Sequence, residues 1–206
     1  MRALALIALL VALPVAAAPA GPEEVVKATA AAMFDALDAN SAALKADPSK
    51  VEPLVEKILL PNFEVDYAAR LVLAQNWKLA TPAQQQRFQQ AFVRFLVRTY
   101  GKAIVTFKRE QLGFLPMRGA VDPKRTTVQT EIKRASGAPI PVDYVLRQTP
   151  KGWQVFDVVI EGISYVRNYR TTFGEEIERE GKGDAAKGIE ALITRLESAK
   201  STAAKP

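Results

Sequence analysis

The stretch TTVQTEIKRASGAPIPVDYVLRQTPKGWQVFDVVI, residues 126–160, decides the fold. Thr126, Val128, Thr130 and Ile132 alternate with polar or charged neighbours. After Ser136-Gly137, the residues Ile140, Val142, Tyr144 and Leu146 alternate with Pro141, Asp143, Val145 and Arg147. A third run, Trp153 to Ile160, comes after the turn signal Pro150-Lys151-Gly152. A period of two belongs to strands, whose side chains point to opposite faces in turn. Short turn-rich joints between them predict an antiparallel meander. With a weaker strand near Gln111 to Pro116, about four strands are expected.

On both sides the period lengthens to that of a helix. Gly21 to Ala46 carries Val25, Val26, Thr29, Met33, Phe34 and Leu37 at helical spacing. Asp47-Pro48 opens a second helix, as cap and first helical residue, and Pro61 closes it. Phe63 to Trp77 reads as a third, with Tyr67, Leu71 and Ala74 on one face. Thr81-Pro82 opens the clearest helix, whose apolar face holds Phe88, Phe92, Phe95, Leu96, Tyr100 and Phe107. Beyond the strands, Glu161-Gly162 ends the sheet. Ile163, Val166, Tyr169, Arg170, Phe173 and Ile177 then mark another helix. Gly181 and Gly183 break it, and Asp184 caps a last one carrying Ile189, Leu192, Ile193 and Leu196.

Helices, then strands, then helices is the α+β pattern. The fold expected is a curled antiparallel sheet packed against N-terminal and C-terminal helices. Such a layer pair closes as a core or stays open as an apolar pocket, and periodicity does not separate the two. The aromatic stripe of the long helix, taken alone, reads as core packing.

The first 20 residues read as a cleavable export signal. Arg2 supplies the positive start, ALALIALLVAL from Ala3 to Leu13 the apolar stretch, and VAAAPA from Val15 to Ala20 the small residues of the cleavage site. An apolar stretch that short spans about half of a ~30 Å hydrocarbon core, too little for an anchor. The expected division is therefore a signal at 1–20, one domain over 21–198 and a disordered tail at 199–206.

The chain has no Cys and no His. That excludes disulfides, Cys-His and Ser-His-Asp nucleophiles and the usual zinc sites. What remains for an enzyme is a carboxylate pair, a Ser-Lys pair or an all-oxygen metal site, and Asp143, Asp157 and Glu161 are the candidates for a carboxylate-dependent hydrolase. The plainer reading puts Asp143 and Asp157 on a solvated face of the sheet. No phosphate-cradling glycine loop or calcium loop is present. Loss of Arg2 with the signal lowers the formal charge from +6 to +5. That balance favours anionic membrane surfaces or acidic partners, and export argues against nucleic acid.

Two stretches carry a resemblance. RLVLAQNWKLATPAQQQRFQQAFVRFLVRTY runs from Arg70 to Tyr100, and FDVVIEGISYVRNYRTTF from Phe156 to Phe173. The Arg-x-Val-Leu…Trp run, the Thr-Pro…Arg-Phe helix and the Asp-Val…Glu-Gly-Ile-Ser…Asn-Tyr-Arg…Phe segment resemble the MlaC family, also called the toluene-tolerance auxiliary family. The likeness extends over Val25 to Leu196. It implies a periplasmic phospholipid carrier, not an enzyme, with lipid as cargo and no metal or cofactor. It further implies partners in an inner-membrane ABC transporter complex and an outer-membrane lipoprotein–porin complex, a monomeric state, and a role in outer-membrane lipid asymmetry. An exported adaptor that binds partners without lipid is the alternative outside enzymology. On the carrier reading the pocket is lined by Phe63, Tyr67, Leu71, Phe92, Leu96, Tyr100, Val142, Tyr144, Leu146, Val158, Ile160, Ile163 and Val166. Tyr169 and Arg170 are expected at its mouth, where Arg170 offers a bidentate phosphate contact.

The signal reading has a direct check. N-terminal sequencing of the exported protein is expected to begin at Gly21; an intact Met1 would overturn it.

Overall fold

The computed structural model describes residues 20–198, so the expected signal (but for Ala20) and the tail lie outside the described residues. The chain opens with α1, Pro22–Ala39, and α2, Ser41–Ala46, separated at Asn40. The single helix expected through Ala46 is thus two. Asn40 turns its side-chain amide back onto the Ala36 carbonyl at 2.8 Å, and that bond competes with helix continuation.

Asp47 acts as a cap, as expected, its Oδ1 accepting from the Ser49 N–H at 3.0 Å. The helix it opens is not regular. A 3-10 turn at Pro48–Val51 leads into the one-turn α3, Glu52–Leu54, then a π-helical stretch at Val55–Leu59 and a 3-10 turn at Leu60–Asn62. Pro53 and Pro61 each remove a backbone donor and so break the regular ladder.

Helix α4 covers Val65–Leu73 and stops at Ala74, whose φ is +51°. A 3-10 turn then carries the chain to Thr81, where a capping box starts α5, Pro82–Thr106. Thr81 Oγ1 accepts from the Gln84 N–H at 3.2 Å, and Gln84 Oε1 accepts from the Thr81 N–H at 3.1 Å.

The strands form one antiparallel sheet in chain order, β1 to β5. They are β1 Leu112–Phe114, β2 Thr126–Ile132, β3 Ile140–Thr149, β4 Gly152–Ile160 and β5 Ile163–Ser164. The fifth strand was not expected. Glu161 and Gly162 both have positive φ, 51° and 81°, so they do not end the sheet but reverse it. Two such residues make the tight hairpin turn whose twist matches the flanking strands. Ile163, expected to open a helix, pairs with Ile160 instead.

Ser164 then caps α6, Tyr165–Gly181, and α7 covers Ala185–Ser198. The two helices meet at glycines. A Cβ on Gly188 would lie 2.1 Å from the Ile177 carbonyl oxygen, so only hydrogen fits there. Across the same contact Glu176, 8% exposed, takes both Nε and Nη2 of Arg195.

The apolar interior falls into three clusters rather than one. The first joins α4, α5, α6 and α7 around Phe88, Phe92, Phe173, Ile189 and Leu192. The second joins α1, α2 and the segment 51–60 to Val97 of α5. The third lies on the sheet, around Val128, Leu146 and Val155, with Val26 of α1 laid on it.

The glycine contact predicts opposite outcomes at two positions. Gly188→Ala is expected to cost about 1–3 kcal/mol or more by overpacking. Gly174, mid-helix with nothing near its missing Cβ, is expected to gain about 0.5–1 kcal/mol as Ala. Thermal melting of the two variants checks both signs.

Candidate functional site

The register settles which strand residues share a face. Val142 pairs with Ile160, Tyr144 with Val158, and Leu146 with Val155, while Val128 and Thr130 of β2 sit opposite Tyr144 and Val142. These residues form the inner face, where α1 packs. Between Val145 and Leu146 the pairing slips, because Val145 faces Asp157 and Leu146 faces Val155. Phe156 is the extra residue of this bulge and turns to the same side as Asp157. There it meets the edge of the Tyr67 ring at 5.2 Å. The Arg147 guanidinium lies 4.0 Å above Tyr67 and is held by both oxygens of Glu64. Tyr67 therefore belongs to the outer face. The buried face of α4 is Ala69, Val72 and Leu73, with Tyr67 and Leu71 half-buried on its flank.

The remaining expected pocket residues divide in the same way. Leu146 and Phe92 are packed core, at 0% and 5% exposed. Val142 is buried as well. Ile163 is 59% exposed on the turn-bound β5. Tyr169 is not at a mouth. It is buried against Phe92, Phe95 and Phe173, its hydroxyl 2.8 Å from that of Tyr100. Arg170 is exposed on α6 and forms no ion pair among the described residues.

A different set stays half-buried although apolar or aromatic. It comprises Tyr144, Val158 and Ile160 on the inner face, Phe63 beside them, Leu96 and Tyr100 on α5, and Tyr165 and Val166 on the first turn of α6. Helix α5 packs on α4, α7 and the segment before them, with no extensive packing against any strand among the described residues. The sheet and the longest helix thus each carry apolar surface that the other does not cover. Tyr144 characterises the space between. It keeps accessible surface, yet burial alone pushes its phenol above the usual range.

Tyr165 was missed by sequence reading, although its spacing of four to Tyr169 and Phe173 was visible. It meets Tyr100 edge-on at 5.3 Å. Burial first, then its hydrogen bond to Tyr100, pushes the Tyr165 phenol up to about 12. Burial likewise raises Tyr100 and Tyr169.

The outer face carries two open clefts. One of about 620 Å³ is lined by Tyr67, Lys124, Arg147 and Thr149, the other of about 390 Å³ by Arg118, Arg125, Gln129 and Asp143. The candidate carboxylates do not converge. Asp157 is buried rather than solvated, its Oδ2 accepting from the Ser164 hydroxyl at 2.6 Å and its Oδ1 from the Val166 N–H at 3.0 Å. Asp143 faces Gln129 and Arg118, with its pKa raised by burial. Glu161 pairs with Arg134 at 3.2 Å. Among the described residues no acidic cluster fit for a metal ion is found, and no helix is long and apolar enough to cross a membrane.

The family model for the MlaC protein matches residues 27–198. The chain belongs to the MlaC family. The toluene tolerance protein ttg2D of Pseudomonas putida is 30% identical over 200 residues, 96% of this chain and 92% of that protein. The intermembrane phospholipid transport system binding protein MlaC of Haemophilus influenzae is 25% identical over 90% of this chain and 85% of its own. A solved structure from Ralstonia solanacearum superposes with a TM-score of 0.75 at 25% identity, covering 86% of this chain and 99% of that one. It is described as a phospholipid-binding protein in complex with a phospholipid. On this MlaC scaffold several of the motif residues are structural. Arg70 lies 5.6 Å over the Trp77 ring, Thr81 caps α5, and Asp157 with Ser164 pins α6 to the sheet.

The raised phenols predict a pH dependence. A tyrosine freed by unfolding ionises near pH 10, whereas Tyr165 in the folded chain waits until about 12. The folded state then holds the extra protons, so stability is full below pH 10 and falls as pH rises above it. Tyrosinate absorbance of Tyr100, Tyr144, Tyr165 and Tyr169 is expected to lag beyond pH 10 and to appear together with loss of near-UV circular dichroism.

Proposed function

We propose that this chain is a soluble phospholipid carrier of the periplasm. It is exported by its N-terminal signal and works as a monomer without metal or cofactor. Its cargo passes between an outer-membrane lipoprotein–porin complex and an inner-membrane ABC transporter complex, and this traffic maintains outer-membrane lipid asymmetry.

The observation that carries the reading is the inner face around Tyr144, Val158 and Ile160, which stays half-buried because α1 covers it only in part. A chain that had only to fold would gain stability by closing α5 onto that face. The lipid-bound Ralstonia relative, with the same fold, supports a lipid as the group that fills the gap. The energetics suit the task. Each buried methylene is worth about 0.8 kcal/mol, so two chains of about 15 methylenes would cost on the order of 24 kcal/mol to bring into water. Lipid crosses an aqueous gap at a useful rate only when its chains stay covered. Burial against apolar side chains needs no nucleophile, and the absence of Cys and His is no handicap. Asp143, Asp157 and Glu161 each have a separate partner, which speaks against a shared acid–base site. The lining on this reading is Phe63, Leu96, Tyr100, Tyr144, Val158, Ile160, Tyr165 and Val166. The exposed Arg170, rather than the buried Tyr169, is the side chain for a head-group phosphate.

Lipid extraction and mass spectrometry of protein purified from a periplasm test this. Close to one phospholipid per chain is expected. Val158→Trp, which fills the gap from the sheet side, is expected to lower the load severalfold with little change in Tm. A chain that carries no phospholipid and takes none from vesicles would overturn the carrier reading.

A further inference from the structure

The inner face of the sheet has three hydroxyls in its central rows, and two are already used. Thr126 donates to the Asp122 carbonyl at 2.8 Å and Thr130 to the Val142 carbonyl at 2.6 Å. The third is Tyr144, set between Val128 and Val158 in register. Among the described residues its hydroxyl has no protein hydrogen-bond partner, and the residue keeps accessible surface. The tyrosines on the helical side differ, because Tyr100 and Tyr169 satisfy each other. A phenol that is deeply surrounded yet keeps accessible surface and has no protein partner is free to donate to a group that comes to rest against it.

The surroundings limit the chemistry of that group. The strand residues sharing the face with Tyr144 include no cation, and Lys27 of α1, which reaches Phe114 on this face, is exposed and paired with Glu23, so a phosphate at Tyr144 itself would lack a counter-charge. A bare alkyl chain would leave the hydroxyl unsatisfied. A neutral oxygen acceptor next to apolar chain meets both demands, and an ester carbonyl at the junction of glycerol and acyl chain is that group.

We propose that the Tyr144 hydroxyl donates a hydrogen bond to an ester carbonyl of the bound lipid, and thereby sets the depth of the acyl chains and selects acyl over alkyl lipids. The assignment rests on the carrier reading. Tyr144 stays protonated throughout the neutral range because burial raises its pKa, so it is always a donor. Phe at this position keeps the ring and the packing but removes the donor.

The test is competition on the full mature chain. Protein stripped of lipid is offered vesicles containing equal amounts of dioleoyl phosphatidylglycerol and its di-O-alkyl analogue of matched chain length. The captured lipid is extracted and quantified by mass spectrometry. One hydrogen bond predicts a preference of about three- to tenfold for the diester, collapsing toward unity in Tyr144→Phe. Melting curves confirm that the variant is folded, and because the readout is a ratio it does not depend on total load. Equal capture by the native chain overturns the proposal, as does a preference that survives in Tyr144→Phe, which would place the selecting group elsewhere. A free carboxyl could present a similar oxygen. If added oleate, rather than the diester, shows the Tyr144-dependent preference, the ester assignment falls. A native chain that captures neither lipid overturns the carrier reading along with this one.

Discussion

The carboxylate of Asp157 holds the two layers of this protein together. It accepts one bond from the Ser164 hydroxyl and one from the Val166 N–H, and Ser164 in turn accepts from the Arg167 N–H at 3.1 Å. Strand β4, the turn at Glu161-Gly162, β5 and the first turn of α6 become one unit. That unit sets where the α6 aromatics meet those of α5. The arrangement is strong because its loss would be costly. Without the carboxylate, a buried hydroxyl and a helix N–H would be left without acceptors.

Around that hinge point the chain divides its apolar surface unevenly. The helical side is packed closely, with Phe88, Phe92, Phe95, Tyr169 and Phe173 edge to face and two glycines letting α6 and α7 touch. The sheet side is left partly open. Full burial of a side chain such as Val158 or Ile160 is worth roughly 1.5–3 kcal/mol, so the open face represents stabilisation the empty protein forgoes. On the carrier reading, cargo restores it on entry, and affinity and stability become linked. A rigid helical bundle beside an unclosed sheet is a physical way to keep a cavity from collapsing.

The residues that reveal the family and the residues that meet the space are mostly different. Arg70 with Trp77, Thr81 with Gln84, and Asp157 with Ser164 are interactions of the scaffold. The proposed lining is drawn from ordinary aliphatic and aromatic residues, which any apolar contact of suitable size can supply. Tyr144 is the exception on the sheet, since its hydroxyl, unlike those of Thr126 and Thr130, has no protein partner among the described residues.

Much of the fold was legible in the sequence. Strand alternation over 126–160 determined the sheet and its inner row, Val142, Tyr144, Val158 and Ile160, because a period of two assigns faces without reference to the rest of the chain. The caps at Asp47, Thr81 and Asp184 were legible because capping is a local bond. The misreadings share a cause. Glu161 with positive φ, the bulge that turns Phe156 outward and Asn40 bonding back to Ala36 depend on conformations to which the residue types give little signal. The site was legible only as a set of apolar candidates. Which of them are fully buried, as Phe92 and Leu146 are, and which stay half-buried, as Tyr144 and Val158 do, depends on how α5 and α1 sit against the sheet. Periodicity determines that a face is apolar; only the spacing between layers, a property of the whole tertiary structure, decides whether that face is a core or a container.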